Sequence, residues 1–552
     1  MLGDGGERNG FQMSALQVSC EGHRLQKAGR AEFVVFKRPF SCFSFVAERF
    51  GGAATVHRCF SLARSAECKG CVIERLNDIG LLAEDTKELT QMGYKCRPEN
   101  IRISFWKKPV GKRADVASLT DRDLYGYAIV RCDGYNSDNP KWYVFEAVLR
   151  KYNHKHNCVA YPGEYSVSVC GKSFRMVGVM YCQQNELNKC CAQVSLRALL
   201  SRVVSGHDVS YAKINGIVSK FCKSKNEKFN PSDGMKVEQI QAVLKAFNVR
   251  FKDVDYQCSG RRKAKLTRDL PYSKFLYAGV ESGLGALLGF KVHDKKEDSR
   301  HIIPMFGHTF NKDSWVSDAR KFYFNDKDAN SAYMPSDSWT SSFIGHDDNL
   351  GANFCVPRAY VLPDDVDYIV ELYRPGVVYS GAIAEAIAFQ VLKHLEDQLQ
   401  TENEWAPRFL DALDEGKVIL RSVSIEKERY LEHLRKMKDW KGLKESRNTV
   451  NGFAQMKLPS VLWAVEISLP QLFPATERKI GEIVLDATVP VGTNDFQHGR
   501  VSRNFLKSIL FVRLPGWYYF KPLKSCVRKG EDGKTIVFDS APSTLVSHVS
   551  VL

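Results

Sequence analysis

Two stretches of the chain carry residue types that together perform acyl transfer. The first runs Gln184-Asn-Glu-Leu-Asn-Lys-Cys190-Cys191-Ala-Gln-Val-Ser-Leu-Arg197, the second His301-Ile-Ile-Pro-Met-Phe-Gly307-His308-Thr-Phe-Asn311-Lys-Asp313-Ser-Trp315. In the first, a cysteine opens a helical pattern with a glutamine a few residues upstream. In the second, a histidine sits on a β-type arm, followed by an Asn and an Asp suited to orienting an imidazole. A thiol is a good nucleophile only as the thiolate, which a helix N-terminus and a neighbouring imidazolium both stabilise. An orienting carboxylate or amide and an oxyanion donor complete the set. A cysteine at a helix start is, taken alone, more often a small buried hydrophobe. The chemistry therefore requires the two stretches to meet in space.

Three other clusters have a chemical and a plain reading. Cys68-Lys-Gly-Cys71 has the CxxC spacing of zinc and redox sites, with His57 and Cys59 nearby. A second well-spaced pair is missing, so reduced structural thiols are the favoured reading. The polar run His346-Asp347-Asp348-Asn349 suits a divalent ion or a cleft wall, but a solvated turn is favoured because one short acidic cluster rarely completes a coordination sphere. Arg261 to Arg268 is basic enough to touch phosphates, and is read first as a solvated surface loop.

The elements that must position these residues follow from periodicity. Tyr125–Arg131, Trp142–Leu149, Glu164–Val169 and Phe174–Met180 are rich in β-branched and aromatic residues and are separated by turn residues. They predict an antiparallel β module leading into the cysteine stretch. From Cys191 to about Val204 the spacing is helical, with Val194, Ala198 and Leu199 facing a core. A second helix follows Asn230-Pro-Ser232-Asp-Gly, and Tyr272–Tyr277 looks helical. Ala286–Val292 and His301–Phe306 read as two strands of a hairpin joined by the charged loop 293–300. Further on, Asp367–Tyr373 is a strand. Ala382 to Gln400 is an amphipathic helix with Ile383, Ile387, Val391, Leu395 and Leu399 on one stripe, which reads as packing. Ile425 to Trp440 is a charged helix, and strands return at Val461–Ile467, Gly481–Asp486 and Ser508–Arg513.

On these residues the chain resembles the papain-like cysteine peptidase superfamily, nearest to the bacteriocin-processing double-glycine leader peptidases. Cys191-Ala-Gln-Val-Ser-Leu-Arg197 is similar to that superfamily's Cys-Gly-Pro-Ala-Ser-Leu-type helix start, and His301 to His308 to its His-x5-Gly-Tyr signature. The resemblance spans about residues 180 to 320. It implies Cys191 as nucleophile, His301 as general base, Gln184 (beside Gln183) as oxyanion donor, and Asp313 or Asn311 as the third member. Gly307 would permit a tight bend, and Glu281 would begin the segment entering the hairpin. Some positions depart from the pattern. The spacing from Gln184 suits Cys190 as well as Cys191, His308 stands where an aromatic is usual and competes with His301, and Asp318 lies nearer the usual spacing than Asp313. No cofactor is implied.

Length and composition set the frame. A chain of 552 residues is too long for one core. The expected class is α+β and multidomain: a disordered tail at 1–12, a Cys-rich α+β region at 13–115, the β module at 116–180, a papain-like domain at 181–360 and an α+β domain at 361–552. The net charge of +16 suits acidic partners, nucleic acid among them, or a merely soluble basic protein. Residues 1–8 have no apolar core and no run spans a membrane, so the sixteen cysteines are expected as thiols in a bacterial cytoplasm. A protein or peptide substrate is expected. The alternatives are a catalytically inactive papain-like scaffold for protein recognition and a basic nucleic-acid-binding protein.

Overall fold

The structure, a computed structural model, describes residues 31–37, 40–134, 141–150, 157–159, 162–204, 209–269, 271–293, 298–309, 333–399, 406–436, 457–473, 478–491, 507–514, 517–520, 525–528 and 541–542. The tail expected at 1–12 lies outside them. The described chain is mixed α+β, built on three seven-stranded sheets. Among the described residues no helix is long and apolar enough to cross a membrane.

The first sheet is antiparallel, in the order Glu32–Val35, Gly70–Leu76, Glu99–Trp106, Leu124–Cys132, Trp142–Leu149, Lys172–Tyr181, Gly163–Val169. All four strands read from the sequence here are present. One face carries Ile73, Ile103, Phe105 and Val144 under the helices Cys42–Phe50 and Ala54–Ser65. The other carries Trp106, Tyr127, Phe145 and Phe174 and meets Val194 of the helix Cys191–Val203. The boundary expected at 115/116 is corrected. Glu99–Trp106 pairs along its length with Leu124–Cys132, so 13–115 and 116–180 share one sheet.

In the middle sheet the order is Gly351–Pro357, Ser342–Asp347, Asp298–Thr309, Ala286–His293, Val366–Tyr373, Arg250–Asp255, all antiparallel, with Asn157–Cys158 pairing the far end of the histidine strand. The expected hairpin forms, with Phe290 opposite His301. The boundary expected at 360/361 moves, because Val366–Tyr373 is buried throughout and pairs on both edges inside this sheet. Glu281 ends the helix Tyr272–Glu281 and does not begin the strand. The basic run lies in a helix, Gly260–Asp269, not a loop. The helix Cys191–Val203 lies between two sheets: Leu196, Leu199 and Leu200 pack on Leu287, Ile302 and Val370 of the middle sheet.

The C-terminal sheet runs Met334–Pro335, Ile419–Glu426, Val461–Ser468, Gly481–Asp486, Ile509–Leu514, Trp517–Phe520, Ser525–Arg528. The helix Gly381–Leu399 lays Ile383, Ile387, Val391, Leu395 and Leu399 in its core beside Trp463, as the period predicts. The charged helix is shorter at its start than expected. Ile425 and Glu426 finish a strand, and the helix is Lys427–Lys436 among the described residues.

Candidate active site

The loop before the cysteine is fixed by its polar residues. Asn185 Oδ1 accepts the backbone N–H groups of Leu187 at 3.0 Å and Asn188 at 3.3 Å. Asn188 Nδ2 donates to Asp85 at 2.8 Å and to Glu88 at 2.7 Å, and Lys189 Nζ pairs with Asp85 at 2.8 Å, all inside the protein. Within the following helix, Arg197 pairs with Glu146 of the first sheet at 2.6 Å. These buried bonds orient the helix start to which the loop delivers the chain.

Cys190 and Cys191 then take different roles. Cys190 is the N-cap: its backbone N–H donates to Gln193 Oε1 at 3.2 Å and its thiol donates to the Ser232 carbonyl at 3.2 Å. Burial first, and the adjacent Cys191 second, push the Cys190 thiol up to about 11. Cys191 is the first residue of the helix, is half-buried, and lies close enough to His301 to help raise its ring. It therefore has the helix N-terminus and an imidazole together.

His301 Nε2 faces two carboxylates, Asp347 Oδ2 and Asp348 Oδ1, each at 3.3 Å. Burial, the largest influence on the ring, disfavours its charge. The hydrogen bond with Asp347, the neighbouring Cys191 and the charges of Asp348 and Asp347 outweigh it, raising the ring to about 10. The two acids differ. Asp347 Oδ1 accepts the N–H groups of Asn349 at 2.8 Å and Leu350 at 3.0 Å. Burial works against its charge, but His301 and these N–H groups hold Asp347 below the ordinary carboxylate range. Asp348 accepts no hydrogen bond, and burial raises it to about 6 against the pull of His301.

Gln184 Nε2 donates to Asn349 Oδ1 at 3.2 Å, which ties it to the turn that carries the acids. Gln183 is committed elsewhere, accepting from the Val144 N–H at 2.9 Å and from Thr55. His308, the competitor for the base role, is fully buried against Glu281 at 2.7 Å, and Glu281 also binds Arg421 at 3.0 Å. Asn311, Asp313 and Asp318 lie outside the described residues. The run His346-Asp347-Asp348-Asn349, expected as a solvated turn, is corrected in part: its first three side chains are buried, and Asp347 and Asp348 line the site. Its density of Asp and His was the available signal. The missing information was that Ser342–Asp347 pairs with the histidine strand, which brings a distant segment to His301.

Cys59, Cys68 and Cys71 belong to the apolar core with Phe60 and Ile73, and burial pushes Cys59 and Cys68 to about 12 and Cys71 upward. Among the described residues neither they nor the half-buried His57 form a ligand cluster. Among the described residues, the one group of three potential metal ligands within 4.8 Å of one another is His301, Asp347 and Asp348. A divalent cation there would take the nitrogen that now faces the acids. No family model matches this chain, and no curated protein or solved structure matches it either. Its functional reading rests on the geometry of these side chains.

Proposed function

We propose that this protein is a papain-like cysteine hydrolase that opens a peptide, isopeptide or other amide bond in a protein or peptide substrate. The observation that carries the proposal is the line Cys191–His301–Asp347, with the thiol at a helix N-terminus and the carboxylate held by two backbone N–H groups. The Cys191 thiolate attacks the carbonyl carbon and the C=O π electrons move to oxygen. The Cys191 backbone N–H and the Gln184 amide receive that oxyanion. The His301 imidazolium gives its proton to the nitrogen as the C–N bond breaks, leaving an acyl thioester and a free amine. Water then attacks the thioester, His301 takes the water proton, and the thiolate returns. The thirteen cysteines whose side chains are described are unpaired thiols, which suits the cytoplasm.

Iodoacetamide at about pH 5.5, with peptide mapping of every cysteine, tests this proposal. Cys191 alone should be labelled rapidly in the parent, and the preference should vanish in His301→Ala. Labelling that is uniform, or unchanged by the substitution, would sink it. A second reading is a non-catalytic scaffold for protein recognition. It is favoured by the second acid, Asp348, which helps His301 hold its proton to about pH 10, where a ring exchanging protons near neutrality would be the better shuttle. An acidic partner remains a separate proposal resting on charge. Binding that weakens steeply with salt would be its signature.

A further inference from the structure

We propose that an apolar ledge formed by Leu350, Phe354 and Tyr360 beside His301 receives an apolar side chain of the substrate, on the leaving-group side of the bond that Cys191 opens. The inference rests on the hydrolase reading and names its specificity. Six large apolar side chains are exposed among the described residues, and three of them, Leu350, Tyr360 and Leu362, fall in one short stretch. Single exposed apolar residues are normal on any surface, but their concentration at a reactive site marks an interaction.

The ledge is continuous with the imidazole. Phe290 meets the His301 ring edge-on at 5.7 Å, Tyr360 lies 6.2 Å from Phe290, and Phe354 lies 6.3 Å from Tyr360. Leu350 is anchored at the site by its own N–H on Asp347, while its side chain is 46% exposed. Tyr360 is equally exposed, and burial first and the charge of Asp347 second raise its phenol above its ordinary range. These groups adjoin His301 and its acid, Leu350 through its N–H on Asp347 and the aromatics through Phe290. The leaving nitrogen must approach the His301 ring to take its proton, so the chain it carries runs toward this ledge. The acyl part remains with Cys191 and the Gln184 amide. An aromatic or branched apolar side chain there would cover Leu350, Phe354 and Tyr360 from water.

The test compares alkylation of Cys191 by N-benzyl-2-chloroacetamide and by 2-chloroacetamide, each rate divided by that of free N-acetylcysteine. The benzyl group extends from the amide nitrogen as a leaving-group residue would. In the parent, the benzyl compound should hold a normalised advantage of about ten-fold. In Tyr360→Ser and Leu350→Ser that advantage should shrink toward one, with 2-chloroacetamide as the internal reference in each variant. Equal normalised rates in the parent, or an advantage that survives in both variants, would overturn the ledge while leaving the thiol intact. Failure of both reagents to select Cys191 over other thiols would overturn the hydrolase reading itself, and the ledge with it.

Discussion

His301 faces more negative charge at one nitrogen than an orienting role requires. Asp347 and Asp348 both stand 3.3 Å from Nε2. Only Asp347 is hydrogen-bonded by backbone, which makes it the positioning acid, while Asp348 adds charge without geometry. Replacing Asp347 by Asn should therefore lower the His301 titration clearly below its value of about 10, followed by histidine-selective NMR; a titration that stays put would contradict this assignment. The stability consequence has a defined sign. A histidine raised in the folded state stabilises fully below its unfolded value of about 6.5 and loses that contribution as pH rises toward 10. Denaturant midpoints measured across that window should fall in the parent and fall less in His301→Ala. His301 and Cys191 were both visible in the sequence as candidates, because each stands inside a patterned element. The acid was not: the visible candidates Asn311, Asp313 and Asp318 follow the histidine along the chain, whereas the acids that face it cross over from a neighbouring strand.

The cysteine helix decides which of two adjacent thiols can react. A helix start offers one N-cap and one first residue, and the N-cap side chain turns back onto the turn it closes. Cys190 takes the N-cap place, but its thiol is spent on the Ser232 carbonyl, so Cys191 is the thiol beside the imidazole. Sequence spacing from Gln184 left the two open, since spacing does not say which residue caps. Cys190→Ser should keep selective labelling of Cys191, since serine is a good cap, whereas Cys191→Ser should abolish selective labelling altogether. Rapid labelling that persists after Cys191→Ser would move the nucleophile to Cys190. Gly289 serves the same region. A Cβ there would meet the Tyr368 ring at 2.5 Å, and Tyr368 lies close enough to Cys191 to feel its charge.

The C-terminal sheet is tied to the middle sheet by buried charge as well as apolar packing, through Glu281, which also holds His308 of the middle sheet at 2.7 Å. Glu281, at the end of the helix before the His301 hairpin, joins Arg421 of the C-terminal sheet at 3.0 Å, and Arg421 joins Glu466 at 3.4 Å. Lys479 continues the line to Glu466 at 2.9 Å, and Glu482 binds Arg513 at 3.1 Å. Removing one member leaves its partners charged in the interior, so Arg421→Ala should lower unfolding free energy by about 3–5 kcal/mol. Lys393→Ala, whose pair with Asp414 is largely exposed, should change it by less than about 1 kcal/mol. Equal effects in chemical denaturation would mean that the network does not join the sheets as described. None of this was readable from periodicity, which identifies faces but not which buried charges meet.

The central claim is that Cys191 is a nucleophile served by His301. Its most direct test is the reaction of the whole protein with p-nitrophenyl acetate, followed by acid quench and mass mapping. One acetyl group should appear per chain, on Cys191, and on neither Cys191→Ala nor His301→Ala. Acetylation spread over several residues, or undiminished in His301→Ala, would contradict the claim.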